Sequence, residues 1–385
     1  MKKFLVTVAA TLLLLGCGKK DIDVKALVSL AEQQCFIMDS GLSDDTMPRT
    51  FEGDSLVTSD THWWCSGFFP GVCWYTYMLG ANEQIKDLAI KQTAKLLDVE
   101  MLNREHDLGF QVMPSAVMAY KHTGDTLYLK TIRDAAAKLA ARFSPVTGVI
   151  MSWNWGEEDY PVIIDNMMNL DLLTYASRLF DVPQWEEIAI THARTTIKNH
   201  FREDYSTYHL VNYNPHDGSI IRKQTRQGYA DESSWSRGQG WGLYGYTMMY
   251  RETGVEEFLE QAEKIAAYIL PLIKDRPVPA WDFCAPEDLQ WLEDASAAAL
   301  ISSALFELCG QTGDQELSKT CLQEAVTILK ALTGEKYLCK KGECAGFLLK
   351  HSTGSYPHSK EVDVPLTYAD YYFMEALYRY SLLNQ

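Results

Sequence analysis

The chain has 385 residues, of which 47% are hydrophobic and 22% are charged. This ordinary globular balance excludes a disordered or fibrous protein. Its 51 acidic and 35 basic residues give a formal net charge of −16. Because non-specific nucleic-acid binding needs a basic field, we expect no nucleic-acid partner. The chain also contains 10 Trp and 21 Tyr, whose flat rings can pack in a core or stack on sugar rings.

The first twenty residues have the pattern of a secretion signal that ends at a lipid attachment site. Lys2 and Lys3 precede an apolar run, 4–15, which ends in Leu-Leu-Gly before Cys17. This ending is typical of a lipoprotein, in which Cys17 becomes the acylated N-terminus. A run of about twelve residues is too short to span a bilayer. We therefore expect 1–20 to be a signal and anchor region. The mature protein is then held at the periplasm or cell surface by lipid alone, although a buried N-terminal helix is the alternative.

The remaining cysteines do not form a recognisable disulfide framework or a zinc ligand set. Cys339 and Cys344 flank a Lys/Gly turn and are able to pair, but the pattern as a whole predicts buried free thiols. Familiar phosphate-loop, hydrolase-elbow and metal motifs are missing from the sequence, so we expect no cofactor and no metal. The eight cysteines lie at positions 35, 65, 73, 284, 309, 321, 339 and 344.

After residue 20 the sequence reads as a series of helix pairs. Turns such as 122–125, 252–255 and 311–314 place a glycine between two amphipathic stretches. A glycine in the left-handed conformation ends one helix, and a polar residue can cap the next. Helical periodicity predicts helices near 24–39, 67–79, 83–102, 111–122, 127–143, 166–180, 185–201, 235–251, 256–273, 295–309, 316–332 and 366–383.

Twelve helices in six hairpins predict an all-α fold, an (α/α)6 barrel formed by one domain, 21–385. A solenoid of helix pairs is the alternative. Strand signals at 207–213 and 219–225 predict a small β-hairpin inserted between helices. Connections at one end of such a barrel usually carry the chemistry. The polar and aromatic connections that enter the inner helices are 60–68, 104–110, 151–166, 204–241, 280–294 and 346–370.

Two aspartates stand at the starts of predicted helices. Asp107 ends an ionisable run, and Asp165 follows the apolar run 160–164. An aspartate between apolar stretches loses solvation, which raises its pKa, and a second carboxylate nearby raises it further. A carboxylic acid that stays protonated near neutral pH is what a general acid needs. Helix capping is the alternative role for both residues.

The segment 227–242 has the densest set of potential binding groups. It contains Gln227, Arg237 and Trp241 among several glycines. Arginine binds carboxylates, glutamine binds hydroxyl groups and tryptophan stacks on sugar rings, so this composition predicts an anionic sugar as ligand. The alternative is a buried arginine that satisfies carbonyl groups. His209 is a weaker candidate, because an isolated histidine among apolar residues is usually structural.

In this order the segments resemble glycoside hydrolase family 88, the unsaturated glucuronyl hydrolases. The resemblance extends from about Trp64 to Arg379. It rests on HDLGF at 106–110, IDNMMNL at 164–170, STYH at 206–209, WSRGQGWG at 235–242, WDF at 281–283, DASAAA at 294–299 and YADYY at 368–372.

The resemblance implies an (α/α)6 barrel that removes a 4,5-unsaturated uronic acid from the non-reducing end of lyase-generated oligosaccharides by protonating and hydrating a vinyl ether. It implies Asp165 as the catalytic acid and base, with Asp107 as its carboxylate partner. The substrate-binding residues that it implies are His106, His209, Gln227, Arg237, Trp64, Trp155 and Trp241.

One loop near the C-terminus bears on the substrate. Ser355-Tyr356-Pro357-His358-Ser359-Lys360 resembles the Ser-x-x-Ser-x-Lys arrangement of family members that act on sulfated glycosaminoglycan fragments. Ser355 and Lys360 are therefore further candidate substrate ligands. His358 stands where the second serine is expected, so the resemblance does not fix the sulfate position, and a solvated loop lysine is the alternative for Lys360.

Two other functions remain open at this point. An unsaturated rhamnogalacturonyl hydrolase has the same barrel and the same vinyl-ether chemistry. A surface glycan-binding lipoprotein without activity is the alternative of another class, and the presence of both Asp107 and Asp165 argues against it. A sugar epimerase of this fold needs paired catalytic histidines, for which His106 and His209 are poorly placed.

Overall fold

The computed structural model describes residues 22–99 and 105–383, in which helices predominate. In chain order the helices are α1 (Val24–Ser40), α2 (Phe68–Gly80), α3 (Glu83–Ala94), α4 (Leu108–Val112), α5 (Met118–Thr123), α6 (Leu127–Ala140), α7 (Leu170–Phe180), α8 (Pro183–His200), α9 (Ser236–Thr253), α10 (Glu256–Ile273), α11 (Ala295–Gln311), α12 (Gln315–Leu332) and α13 (Thr367–Leu382). A π-helical turn, Met113–Val117, joins α4 to α5, and a 3-10 turn, Ile164–Asn169, opens α7.

These helices form two concentric rings. The inner ring consists of α2, the joined α4 and α5, α7, α9, α11 and α13, and it closes because α13 packs against both α11 and α2. The outer ring consists of α1, α3, α6, α8, α10 and α12. Helix α9 is buried from Ser236 to Met249, whereas the outer helices bury one face and expose the other, as expected for each layer. The predicted (α/α)6 barrel is confirmed.

Two of the three glycine turns named above follow the predicted chemistry; in the third, Thr312 after α11 is extended and Gly313 does not take the left-handed conformation. Gly124 and Gly254 take left-handed conformations, with φ of 71° and 66°, and end α5 and α9. Asn82 and Asp314 accept hydrogen bonds from the first backbone N–H groups of α3 and α12. Short turns join the two helices of the pairs α2–α3, α5–α6, α7–α8, α9–α10 and α11–α12, so the two helices of each pair run antiparallel.

The strands are few and short. They are β1 (Thr46–Glu52), β2 (Ser55–Asp60), β3 (Phe143–Ser144), β4 (Val149–Ile150), β5 (Pro161–Ile163), β6 (Leu210–Tyr213) and β7 (Ile220–Gln224). Antiparallel pairing of β6 with β7 confirms the predicted hairpin, and β5 extends it to three strands.

Two local predictions were wrong. The β1–β2 hairpin was not predicted, although its turn residues Gly53 and Asp54 both have positive φ, as the tight primed turns of hairpins require. The helix predicted over 83–102 ends at Ala94, and residues 95–99 form turns that bury Leu96 and Val99.

The described cysteines carry free thiols, and most of them are at least partly buried. Cys284 is exposed, so the expectation of burial does not hold there. A hydrogen bond between the Cys339 and Cys344 side chains raises the pKa of the Cys339 thiol and lowers that of Cys344. The proposed acylation residue Cys17 lies outside the described residues. Within 22–99 and 105–383, no helix combines the length and the apolar character that a membrane span requires.

Candidate active site

The candidate site lies where the inner helices begin. Asp107 directly precedes α4, Asp165 lies in the 3-10 turn that opens α7, and Arg237 lies in the first turn of α9. Asp294 caps α11 with its carboxylate. Helix N-termini carry partial positive charge and free N–H groups, so their convergence at one end of the barrel favours an anionic ligand.

Asp165 is a buried carboxylate without a hydrogen-bond partner for Oδ2 among the described residues. It does not cap its helix, and Asp107 makes no capping hydrogen bond either. Burial raises the pKa of Asp165 to about 7, and the nearby charge of Asp107 adds to the rise, while Arg237 and the Trp241 indole oppose it. Asp165 therefore holds its proton up to neutral pH, as a general acid must.

The imidazole of His209 presents an N–H group to Asp165. Its Nδ1 accepts backbone N–H groups of Arg226 at 3.1 Å and Gln227 at 3.3 Å. A ring nitrogen that accepts hydrogen bonds cannot carry the proton, so the proton is on Nε2. Nε2 lies 3.6 Å from Oδ2 of Asp165. Burial and the charge of Arg237 lower the pKa of His209 well below its usual value, which keeps the ring neutral.

Asp107 has a second imidazole arranged in the same way. Asn169 accepts the Phe110 N–H through Oδ1 at 3.2 Å, which turns its Nδ2 towards Nδ1 of His106 at 3.4 Å. His106 therefore carries its proton on Nε2, which lies 3.4 Å from Oδ1 of Asp107. The site thus contains two matched carboxylate–imidazole pairs.

Two ionisable neighbours of Asp107, Glu105 and Arg142, were not predicted to have a role. Burial raises the pKa of Asp107 to about 7, while a hydrogen bond from Glu105 and the charge of Arg142 lower it. Glu105 also accepts the indole N–H of Trp155 at 3.2 Å. The ionisable run before Asp107 was a signal for Glu105. Arg142, just after the end of α6, could not be recognised from the sequence, because only the fold brings it near Asp107.

Arg237 is fully buried, and its terminal nitrogens bond within the protein. They donate to the carboxylate of Asp294, to the carbonyl of Thr353 at 2.8 Å and to that of Gly354 at 2.7 Å. These are the contacts of the alternative in which a buried arginine satisfies carbonyl groups. Arg237 acts on Asp165 through its charge, and its direct contact with a substrate stays a prediction.

Gln227 and Arg237 hold the same loop. Gln227 Nε2 donates to the Gly354 carbonyl at 3.0 Å, beside the bond from Arg237. Both side chains therefore fix the start of the loop that carries Ser355 and Lys360. Within this loop, Ser355 Oγ lies 2.8 Å from His358 Nδ1, and Lys360 is exposed.

The predicted tryptophans lie at three depths. Trp241 is fully buried and packs against Phe110 and Tyr372 at ring distances of 5.1 and 5.4 Å. Trp64 is partly buried and packs on Tyr368 at 5.0 Å. Trp155 is 48% exposed, stacks on Trp153 at 5.4 Å and has Arg226 at 5.8 Å from its ring centre, so it is the most accessible of the three to a sugar ring.

An open cleft with a volume of about 640 Å³ lies beside Trp155. Trp155 and Tyr229 are its exposed aromatic residues. Arg226 lies 5.1 Å above the Trp153 ring and pairs with Glu158 at 2.6 Å. Pro357 and His358 of the C-terminal loop also line the cleft, which therefore borders the predicted sulfate-binding segment.

The part of the chain that the structure describes contains no group of three or more His, Cys, Asp or Glu residues suited to a metal ion. The carboxyl groups of Asp165 and Asp107 and the imidazoles of His209 and His106 are the groups at this mouth that can hold or transfer a proton. A helical toroid with a protonated acid, a second carboxylate and aromatic walls at one mouth defines a carbohydrate-active hydrolase.

The comparisons with known proteins identify the family. The profile of Glycosyl Hydrolase Family 88 matches residues 42–276. An unsaturated glucuronyl hydrolase from Formosa agariphila is 42% identical over 322 residues, which cover 82% of this chain and 79% of that protein. An unsaturated chondroitin disaccharide hydrolase from Streptococcus agalactiae is 30% identical over 369 residues, which cover 93% of this chain and 92% of that protein.

A solved structure agrees with these sequence relatives. The crystal structure of an unsaturated glucuronyl hydrolase specific for heparin superposes with a TM-score of 0.89 at 41% identity. The superposition covers 94% of this chain and 97% of that one. The chain belongs to glycoside hydrolase family 88.

Proposed function

We propose that this enzyme releases 4,5-unsaturated glucuronic acid from the non-reducing end of glycosaminoglycan oligosaccharides that lyases have produced. Its relatives include enzymes named for unsaturated chondroitin disaccharides and for heparin. The observation that carries the proposal is the buried Asp165, whose pKa is raised to about 7 next to Asp107.

The first step is the transfer of a proton from Asp165 to C4 of the sugar. An unsaturated uronate contains the vinyl ether C4=C5–O5, so protonation at C4 leaves positive charge shared between C5 and O5. The ionised form of Asp107 stabilises this charge. The Nε2–H of His209 faces the carboxylate that Asp165 becomes, and stabilises it in turn.

The second step is the addition of water to C5. Asp165, now a carboxylate, takes one proton from the water and is returned to its acid form. The C5 hemiketal opens by breaking C5–O5, and the hemiacetal left at C1 expels the next sugar, so one water is consumed per turnover. Because attack is at C5, the carboxylate separations that distinguish other glycosidases do not apply.

Substrate binding follows from the charges and shape of this mouth. The helix N-termini around Asp165 favour the sugar carboxylate. The cleft beside Trp155 and Tyr229 is placed to receive the adjoining sugar. Lys360, exposed on the loop that borders the cleft, is available to pair with a sulfate group.

The two alternative functions are less well supported. None of the relatives reported above is named for rhamnogalacturonan. A binding lipoprotein without activity does not need two buried carboxyl groups with raised pKa values, because burying them costs stability without a benefit to binding.

We also propose that the enzyme is lipid-anchored and faces the periplasm or the cell surface. The support is the charged start, the apolar run 4–15 and the Leu-Leu-Gly before Cys17. Cells grown with labelled palmitate should label the wild-type protein but not Cys17→Ser. Equal labelling of both proteins would remove the proposed anchor.

The activity is tested by following the ultraviolet absorbance of the unsaturated bond. Purified protein is incubated with unsaturated disaccharides of chondroitin, heparin and rhamnogalacturonan type. We expect absorbance loss with the glucuronyl substrates. Loss only with the rhamnogalacturonan product would establish the first alternative. Binding without any absorbance loss would establish the second.

A further inference from the structure

Glu105 connects the aromatic wall of the cleft to the catalytic carboxylates. Its Oε1 accepts the Trp155 Nε1–H at 3.2 Å, and its carboxyl group is hydrogen bonded to Asp107. Its backbone pairs with that of Trp153 in an isolated β-bridge, and the Trp153 and Trp155 rings stack at 5.4 Å. These contacts fix the side chain between the place for the adjoining sugar and the reacting centre.

We propose that Glu105 is a positioning residue that donates a hydrogen bond to Asp107 and so keeps Asp107 ionised while Asp165 holds the catalytic proton. The inference rests on the proposed function and adds a third carboxyl group to its machinery. Glu105 acts through Asp107 and does not touch the reacting atoms.

The location of the shared proton follows from the surroundings of the two carboxyl groups. Asp107 has the Nε2–H of His106 at 3.4 Å and the charge of Arg142 nearby, both of which stabilise its ionised form. Burial and the negative charge of Asp107 raise the pKa of Glu105 to about 7. The hydrogen bond between the two carboxyl groups raises the pKa of Glu105 and lowers that of Asp107, so Glu105 is the donor.

This arrangement has a consequence for Asp165. The charge of Asp107 is one of the causes that raise the pKa of Asp165. When Glu105 holds Asp107 in its ionised form, it therefore also helps Asp165 to keep its proton. Trp155, on which we propose that the adjoining sugar packs, is one hydrogen bond away from Glu105.

The test compares Glu105→Gln and Glu105→Ala in the complete enzyme. Glutamine can accept from Trp155 through Oε1 and donate to Asp107 through Nε2, whereas alanine can do neither. At the pH optimum we expect Glu105→Gln to stay within about threefold of the wild-type kcat. Glu105→Ala should lose about 10- to 100-fold, mainly in kcat, because a hydrogen bond to a charged group is lost.

The pH profile separates this role from a structural one. In the wild type, Glu105 and Asp165 both ionise above about pH 7, so two ionisations lower kcat/KM on the alkaline side. Glutamine cannot ionise, and Glu105→Gln should show a shallower alkaline limb with one ionisation. The control is Glu187→Gln on the exposed face of α8, which should keep the wild-type profile.

Two kinetic results would overturn the inference: wild-type activity in Glu105→Ala, or an equal loss in both variants. A wild type that consumes no unsaturated disaccharide would overturn the proposed function instead. In that case the inference is tested by infrared titration of the Asp107 carboxyl group. The pKa of Asp107 should be higher in Glu105→Ala than in the wild type. An unchanged Asp107 pKa would then overturn the inference.

Discussion

The two ends of the barrel bury the same kinds of side chain but pair them differently. At the C-terminal ends of the inner helices, Glu307 bonds Arg251 at 2.7 Å and Arg379 at 2.7 Å. Burial alone would raise the pKa of Glu307, but these two guanidinium groups outweigh it and lower the pKa. Glu375 is held there by Tyr75 at 2.7 Å and Ser303 at 2.6 Å.

At the N-terminal ends, Asp165 and Asp107 have imidazole neighbours instead of bonded arginines, because Arg237 bonds Asp294 and neither of these two. Asp165 and Asp107 each face a neutral histidine at 3.6 and 3.4 Å, and both pKa values rise to about 7. Burial is therefore common to both ends, and the pairing decides the outcome. A paired buried acid stabilises the fold, whereas an unpaired one is available for proton transfer.

The largest expected effect is the loss of activity on substitution of Asp165. Asp165→Asn removes both the acid that protonates C4 and the base that takes a proton from water, so we expect kcat to fall by about 10³-fold or more. The amide has the same shape and needs no counter-ion, so the fold should be retained. Absorbance assays and circular dichroism measure the two quantities. Substantial activity in this variant would exclude Asp165 as the acid.

The corresponding change at the C-terminal ends of the inner helices should lower stability and leave activity nearly unchanged. Glu307→Gln removes the carboxylate that Arg251 and Arg379 share. Because Arg251 is 36% exposed and keeps Glu252, and Arg379 keeps Glu375, we expect a loss of about 1–3 kcal/mol of unfolding free energy. Urea unfolding measures this loss, and kcat should change little. A large fall in kcat with unchanged stability would contradict the division between the two ends.

Asp165→Asn should also change stability, in a pH-dependent way. The native pKa of Asp165 is raised from 3.8 to about 7, so native stability falls as the pH rises through this window. The stability of Asp165→Asn does not fall in this way, because the amide does not ionise. At pH 8 its unfolding free energy should exceed that of the wild type by up to about 4 kcal/mol, and at pH 4 the two should agree. Denaturant titrations at both pH values test this prediction.

The pH–rate profile of the wild type gives a smaller effect. The acid form of Asp165 is needed, so its ionisation alone should lower kcat/KM by about tenfold per pH unit above about 7. The ionisation of Glu105 should make the fall steeper. Initial rates across the pH range provide the measurement. A rate that stays constant well above this pKa would show that another group supplies the proton.

Lys360 should have the smallest effect. It is exposed on a loop outside the buried pairs, so Lys360→Ala is expected to raise KM by a few-fold for sulfated disaccharides only, as for a screened surface charge. Unsulfated disaccharides serve as the control. An equal change for both would assign Lys360 no role in sulfate binding.

The sequence predicted most of the barrel because its signals are local. Glycines such as Gly124 and Gly254 mark the turns, and the period of apolar residues marks the helices between them. The β1–β2 hairpin was not predicted although its turn contains Gly53-Asp54, because its two short strands are only partly buried and lack a clear alternation of apolar and polar residues.

The site was only partly predictable for a different reason. Asp107 and Asp165 stand out as polar residues between apolar runs. The contact of Arg142 with Asp107 depends on the fold alone, and the pairing of Arg237 with Asp294 joins residues on two helices. The tautomers of His106 and His209 likewise follow from backbone N–H groups and an amide that only the structure brings together.

The ionisation of Asp165 itself is the most direct test. Infrared difference spectra between the wild type and Asp165→Asn, recorded over a pH titration, isolate this one carboxyl group. We expect a protonated carboxylic acid band below neutral pH that disappears as the pH rises through about 7. A group that is already ionised at about pH 5, as an ordinary aspartate is, would contradict it.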